Sequence, residues 1–66
     1  MNITINGTSH DLTDGASLAT AVSLLTTSAT GLAAAINGEL VRRADWDATG
    51  LADGDSVEVI TAVQGG

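Results

Sequence analysis

The sequence has no cysteine, proline, phenylalanine or tyrosine, and Trp46 is its one aromatic residue. Without cysteine there is no disulfide framework, and the single histidine, His10, cannot build a metal cage by itself. Both of the usual supports of a very small domain are therefore excluded. Lysine is absent too: eight acids face only Arg42 and Arg43, for a net charge of −6. A chain so acidic is repelled by nucleic acid and by anionic membrane surfaces; the charge serves solubility or steers the chain toward a basic partner. Met1 to Thr8 has neither a basic start nor an apolar run, and no stretch approaches the ~20 apolar residues of a membrane span. The expectation is a soluble cytoplasmic protein.

What remains is aliphatic. Hydrophobic residues make up 44% of the 66 positions, almost all Ala, Val, Leu and Ile, which is a globular composition. At this size the fold buries only about 60% of the surface its unfolded chain exposes, so the core must be thin. One domain over residues 1–63 is expected, followed by a flexible tail over residues 64–66.

The pattern along the chain gives the elements. Met1, Ile3 and Ile5 alternate with Asn2 and Thr4, as in a half-buried strand. Asn6-Gly7 is a hairpin signal, since both central positions of a type I′ turn need positive φ. Thr8 to Leu12 reads as the returning strand, with His10 on its polar side. After Asp14-Gly15, Ser17 is a helix N-cap, and Leu18, Ala21, Val22 and Leu25 fall on one helical stripe. Leu32 to Ile36 is a short apolar strand between Gly31 and a second Asn-Gly, Asn37-Gly38, with Glu39 to Arg43 as its partner. Asp45 to Gly50 is irregular, with one helical turn capped by Asp45 and anchored by Trp46. Asp53-Gly54-Asp55 is a turn, and Ser56 to Val63 is the last strand. Strands clustered around one helix imply an α+β fold, a mixed sheet with the helix across one face.

No catalytic constellation emerges. A nucleophile–base pair would have to use His10, the only imidazole, which sits on the polar side of a strand next to Asp11 and reads as a surface residue. Asp53-Gly54-Asp55 resembles the start of a calcium loop, but the ligands that should follow are missing. The Asn-Gly pairs lack the setting of a phosphate loop. The chain reads as a non-enzyme. Attention passes to Gly65-Gly66, which is either a frayed end or a functional one. Glycine has no Cβ, so such a tail can lie extended in a narrow channel and present its carboxylate to a nucleotide. An α-carboxylate has a pKa of about 3.5, is an anion at neutral pH, and needs activation by a reagent such as ATP before a sulfur nucleophile can attack it. If Val57 and Val59 face the helix, alternation sends Glu58, Ile60 and Ala62 to the opposite face beside the tail, as a partner-binding surface.

The motifs together resemble the ThiS-type sulfur carriers of thiamine biosynthesis, ubiquitin-like β-grasp proteins. The resemblance runs nearly end to end: Asn6-Gly7, Asp14-Gly15-Ala16-Ser17-Leu18, Asn37-Gly38-Glu39-Leu40-Val41, Arg43 with Trp46, Asp53-Gly54-Asp55 and Gly65-Gly66. Arg43 and Trp46 favour the thiamine branch; Arg42 stands where members often carry proline. The resemblance implies a sheet of four to five strands and a carrier that binds no cofactor of its own. Gly66 would be the reactive residue, with Gln64 and Gly65 as the rest of the tail. A ThiF-like enzyme would use ATP to adenylate Gly66. A cysteine desulfurase or other persulfide donor would supply sulfur, and thiazole synthase would accept it from the thiocarboxylate. A carrier for molybdopterin synthesis, a protein modifier conjugated through Gly66 and a plain interaction module are the alternatives.

Overall fold

The computed structural model describes residues 1–25 and 31–61. In chain order it contains β1 (Asn2–Ile5), β2 (Thr8–Asp11), α1 (Leu18–Ser23), β3 (Leu32–Ile36), β4 (Glu39–Val41), a 3₁₀ turn (Arg43–Asp45) and β5 (Ser56–Thr61). The five strands form one sheet in the order β2-β1-β5-β3-β4. β1 and β5 run parallel, and the other neighbours are antiparallel. The last strand thus lies at the centre, between the two hairpins.

Both hairpins turn on Asn-Gly. Asn6 and Asn37 each have φ of 51°, and Gly7 and Gly38 have 82° and 84°, the positive pair that a type I′ turn requires. Each asparagine then reaches across to β5. Asn6 Oδ1 accepts from the Val59 N–H at 2.8 Å, and its Nδ2 donates to the Val59 carbonyl at 3.2 Å. Asn37 Oδ1 accepts from the Ser56 N–H at 2.9 Å, and its Nδ2 donates to Asp55 Oδ1 at 3.0 Å. The side-chain amides act as extra peptide groups and continue the ladder where the hairpin strands have already turned away.

The turn residues set register, and register sets the faces. Ile3, Ile5, Ala34 and Val57 point toward α1 and are buried with Leu18, Ala21, Val22, Leu51 and Trp46. Because the Asn6-Gly7 turn has only two residues, Ile3 stands opposite His10 and Thr4 opposite Ser9. Directly opposed residues share a face. His10 is therefore half-buried on the core-facing side of the sheet edge, which corrects its expected place on the polar side.

α1 has six residues, far below the length that is stable in isolation. Its first turn is satisfied from outside. Ser17 Oγ caps the Thr20 N–H at 3.3 Å, the Leu18 N–H donates to Thr49, and the Ala19 N–H donates to Trp46. At the other end Leu24 and Leu25 donate to Ala21 and Val22, three residues back, and Ser23 Oγ donates to the Thr20 carbonyl. The tighter winding rotates the chain off the α-helical stripe. Leu25, expected in the core, is consequently 45% exposed.

The segment after β4 also departs from expectation. β4 stops at Val41 instead of continuing to Arg43, and the helical turn occupies Arg43–Asp45 with Arg42 at its N-cap, not Asp45. The cause is Trp46. Its ring is 1% exposed, and its Nε1 donates to the Val41 carbonyl at 3.0 Å, so the chain must curl back immediately after the strand. The Arg43 guanidinium lies 4.9 Å from the ring centroid and covers the indole as a cation–π contact. No helix among the described residues is long and apolar enough to cross a membrane.

Two outcomes follow from this packing. Trp46→Ala is expected to cost about 3–5 kcal/mol, a large share of a small domain's stability, read as a fall in the urea midpoint by circular dichroism. The native tryptophan emission should be blue and resistant to iodide; red, readily quenched emission would contradict the burial. Asn6→Gly keeps the positive φ but removes both side-chain bonds, so it should cost roughly 1 kcal/mol in the same measurement, and no loss would show the bonds to Val59 to be idle.

Candidate functional site

β5 alternates cleanly. Val57 is fully buried and Val59 is half-buried against the core, whereas Glu58 and Ile60 point away from the helix, Ile60 being 57% exposed. Of the residues expected to meet a partner, Ile60 and Glu58 therefore share the outer face of the central strand. Ala62, Gln64, Gly65 and Gly66 lie outside the described residues.

The outer face holds more apolar surface than β5 alone supplies. Ile60 stands opposite Ala33, and Glu58 opposite Ala35. On its other side Ala35 is paired with Leu40, which is 71% exposed. Leu40, the half-buried Ala33 and Ile60 thus make an apolar strip across β4, β3 and β5, with Ala35, itself only 8% exposed, on the floor between them and Glu58 at its border. Sequence reasoning missed Leu40 and the two alanines. The signal was available in Asn37-Gly38: a two-residue turn pairs Ile36 with Glu39 and therefore Ala35 with Leu40, putting Leu40 on the face that carries Glu58.

The remaining candidates have structural work. Asp53 Oδ1 accepts from the Asn2 N–H at 2.7 Å, and Asp55 Oδ2 accepts from the Ala52 N–H at 2.8 Å, so both carboxylates hold the turn before β5. Among the described residues no group of three His, Cys, Asp or Glu side chains is placed to hold a metal. Arg43 is committed to Trp46, while Arg42 is exposed.

A five-stranded mixed sheet with parallel central strands from the two ends of the chain, and a helix across one face, is the β-grasp fold in the α+β class. A family model described as the ThiS family matches residues 3–66. The chain is similar to the crystal structure of the thiamine biosynthesis protein ThiS from Geobacter metallireducens, with 32% identity, a TM-score of 0.84 and full coverage of both chains. It is also similar to the solution NMR structure of a thiamine biosynthesis protein from that organism, at 32% identity and a TM-score of 0.76, over 100% of this chain and 88% of the other. A comparison with curated proteins finds no match. The chain belongs to the ThiS family.

The face assignment is open to a direct check. Ile60→Asp and Leu40→Asp should fold with urea midpoints near that of the parent, because both side chains are solvated. Val57→Asp, which buries a charge in the core, should not fold. Unfolding by Ile60→Asp together with a native Val57→Asp would mean that the two faces are exchanged.

Proposed function

We propose that this protein is the sulfur carrier of thiamine biosynthesis and that the carboxylate of Gly66 is the group that carries the sulfur. The observation that carries the reading is the family match, which extends through Gly65-Gly66 on a chain whose fold aligns with a ThiS structure over its full length. Membership in that family supports a carrier rather than a catalyst.

The chemistry follows from the carboxylate. As an anion it is a poor electrophile, so a ThiF-like enzyme joins one of its oxygens to the α-phosphorus of ATP and releases pyrophosphate. The resulting acyl adenylate has AMP as its leaving group. Sulfur arrives as a persulfide from a cysteine desulfurase or similar donor, its terminal sulfur bonds to the acyl carbon, and AMP departs. A thiol then cleaves the S–S bond and leaves the thiocarboxylate and a disulfide. Thiazole synthase accepts the sulfur. All of these steps belong to cytoplasmic partners. The carrier's contribution is a tail whose last two residues, Gly65 and Gly66, have no side chains, and a surface on which each enzyme can dock.

Ile60 and Glu58, with Ala62 further along the chain, form the docking site in this reading, and Leu40, Ala33 and Ala35 extend it. The occupant is the adenylating enzyme, whose contact surface is apolar at the centre and basic around it, complementary to the apolar strip and to the charge of −6. The charge acts chiefly on the association rate, which falls as salt rises.

Deletion of Gly66 should abolish ATP-dependent adenylation, measured as pyrophosphate release with the activating enzyme, while the circular dichroism stays native. Normal turnover by the deleted chain would overturn the role of Gly66. The intact mass from cells that contain the partners separates the readings: one oxygen replaced by sulfur identifies a carrier, and a ladder of conjugates identifies a modifier. Reconstitution with thiazole synthase then distinguishes the thiamine carrier from a molybdopterin carrier.

A further inference from the structure

The two Asn-Gly turns share one backbone conformation but differ in what their side chains face. Asn-Gly is also a labile sequence, because glycine offers no Cβ to hinder attack of its own nitrogen on the preceding side-chain amide. Gly38 stands in the open: a Cβ built on it would meet nothing within 4 Å. We propose that Asn37 is a deamidation site that the fold keeps closed, and that its conversion to aspartate unlatches the start of β5.

The reaction needs only base and water. Base removes the Gly38 N–H proton, the nitrogen bonds to Cγ of Asn37, and the Cγ–Nδ2 bond breaks as Nδ2 leaves as ammonia. Water then adds to one carbonyl of the five-membered imide and cleaves one of its C–N bonds, giving an aspartyl or an isoaspartyl residue. In the native hairpin this path is blocked. Both ends of the amide are held across the sheet, Oδ1 by the Ser56 N–H at 2.9 Å and Nδ2 by Asp55 at 3.0 Å. Cγ can swing onto the Gly38 nitrogen only when both bonds open, so the reaction is tied to opening of this end of the hairpin.

The product matters more at Asn37 than at Asn6. At Asn6 the lost donor faced a neutral carbonyl, that of Val59. At Asn37 it faced a carboxylate, and conversion sets two carboxylates at the contact that had been a 3.0 Å hydrogen bond. Asp55 cannot simply turn away. Its Oδ2 holds the Ala52 N–H, and its backbone carbonyl accepts from the Thr4 N–H at 3.1 Å. Repulsion at Asp55 is therefore passed to the turn that delivers β5 and to the β1–β5 seam.

The test uses the full chain. Deamidation is followed at mildly alkaline pH by anion exchange, with peptide mapping to assign the site, in buffer and in concentrated urea. Reaction at Asn37 should be at least roughly tenfold slower in the folded protein, the factor that about 1.4 kcal/mol of opening represents. Equal rates at Asn37 in the two solvents overturn the protection. Separately, Asn37→Asp should lower the urea midpoint more than Asn6→Asp does, and Asp55→Asn in the Asn37→Asp background should restore it. The Asp55→Asn amide can still accept from Ala52 through its oxygen while donating to the new carboxylate. If Asn37→Asp alone fails to fold, the double variant decides: recovery of native circular dichroism supports the latch, and no recovery overturns it. An Asn37→Asp midpoint equal to or above that of Asn6→Asp, or one indifferent to Asp55→Asn, also overturns it.

Discussion

The structure depends on how its last strand is held in the middle of the sheet. β5 lies between β1, from the start of the chain, and β3, from its middle, and its parallel pairing with β1 covers only the short register Thr4–Ser56 and Ile5–Val57. A parallel seam that short would be weak by itself. It is lengthened by the Asn6 amide, which takes both the N–H and the carbonyl of Val59, and by the Asn6 N–H, which donates to Val57 at 2.9 Å. On the antiparallel β3–β5 side Asn37 holds the start of the strand: its N–H donates to the Ser56 carbonyl at 2.7 Å, its Oδ1 accepts from the Ser56 N–H, and its Nδ2 donates to the Asp55 carboxylate. One residue type thus meets two requirements at once: it tolerates the positive φ that the turn demands, and its amide carries a donor and an acceptor in the spacing that the strand lacks.

The same economy appears in the core. With no cysteine from which to build a disulfide, the fold gathers its irregular segment around one large side chain. Trp46 fills the centre beside Leu18 and Val57, its ring nitrogen terminates β4 at Val41, and its carbonyl accepts from the first turn of α1. A six-residue helix can persist because residues 46 to 50 supply the partners its N-terminus would otherwise seek in water. Helix and irregular segment are therefore a single unit, stable together through burial that neither could achieve alone.

Much of this was legible in the residues. Alternation in Asn2–Ile5 and Ser56–Thr61, the two Asn-Gly signals and the Ser17 cap gave the elements and their faces, because each is a local rule enforced by local geometry. What failed was either decided by tertiary contact or needed the register to be carried across a turn. Leu25 obeys the helical period but lies beyond the point where Ser23 and the tightened turn end the helix. The exit of β4 was set by an indole bond that no local preference encodes. His10 looked polar and outward, yet the two-residue turn had already placed it opposite Ile3. Leu40 belonged with Ile60 for the same reason, and only carrying the register across both hairpins would have found it.

Register also explains how one strand can serve the core and an outer surface without confusing them. Val57 and Val59 are apolar, and so is Ile60, which means that hydrophobicity alone does not strongly distinguish the correct alignment of β5 from one shifted by a single residue. Such a slip would expose Val57 and turn Glu58 and Ile60 into the core. The burial of Glu58 opposes it energetically, and the asparagines oppose it geometrically: Asn6 binds the N–H and carbonyl of Val59, and a shifted strand would present those groups on the other side. The residues that form the turns therefore also determine which side chains of β5 face outward, and so compose the surface from which the chain continues toward Gly66.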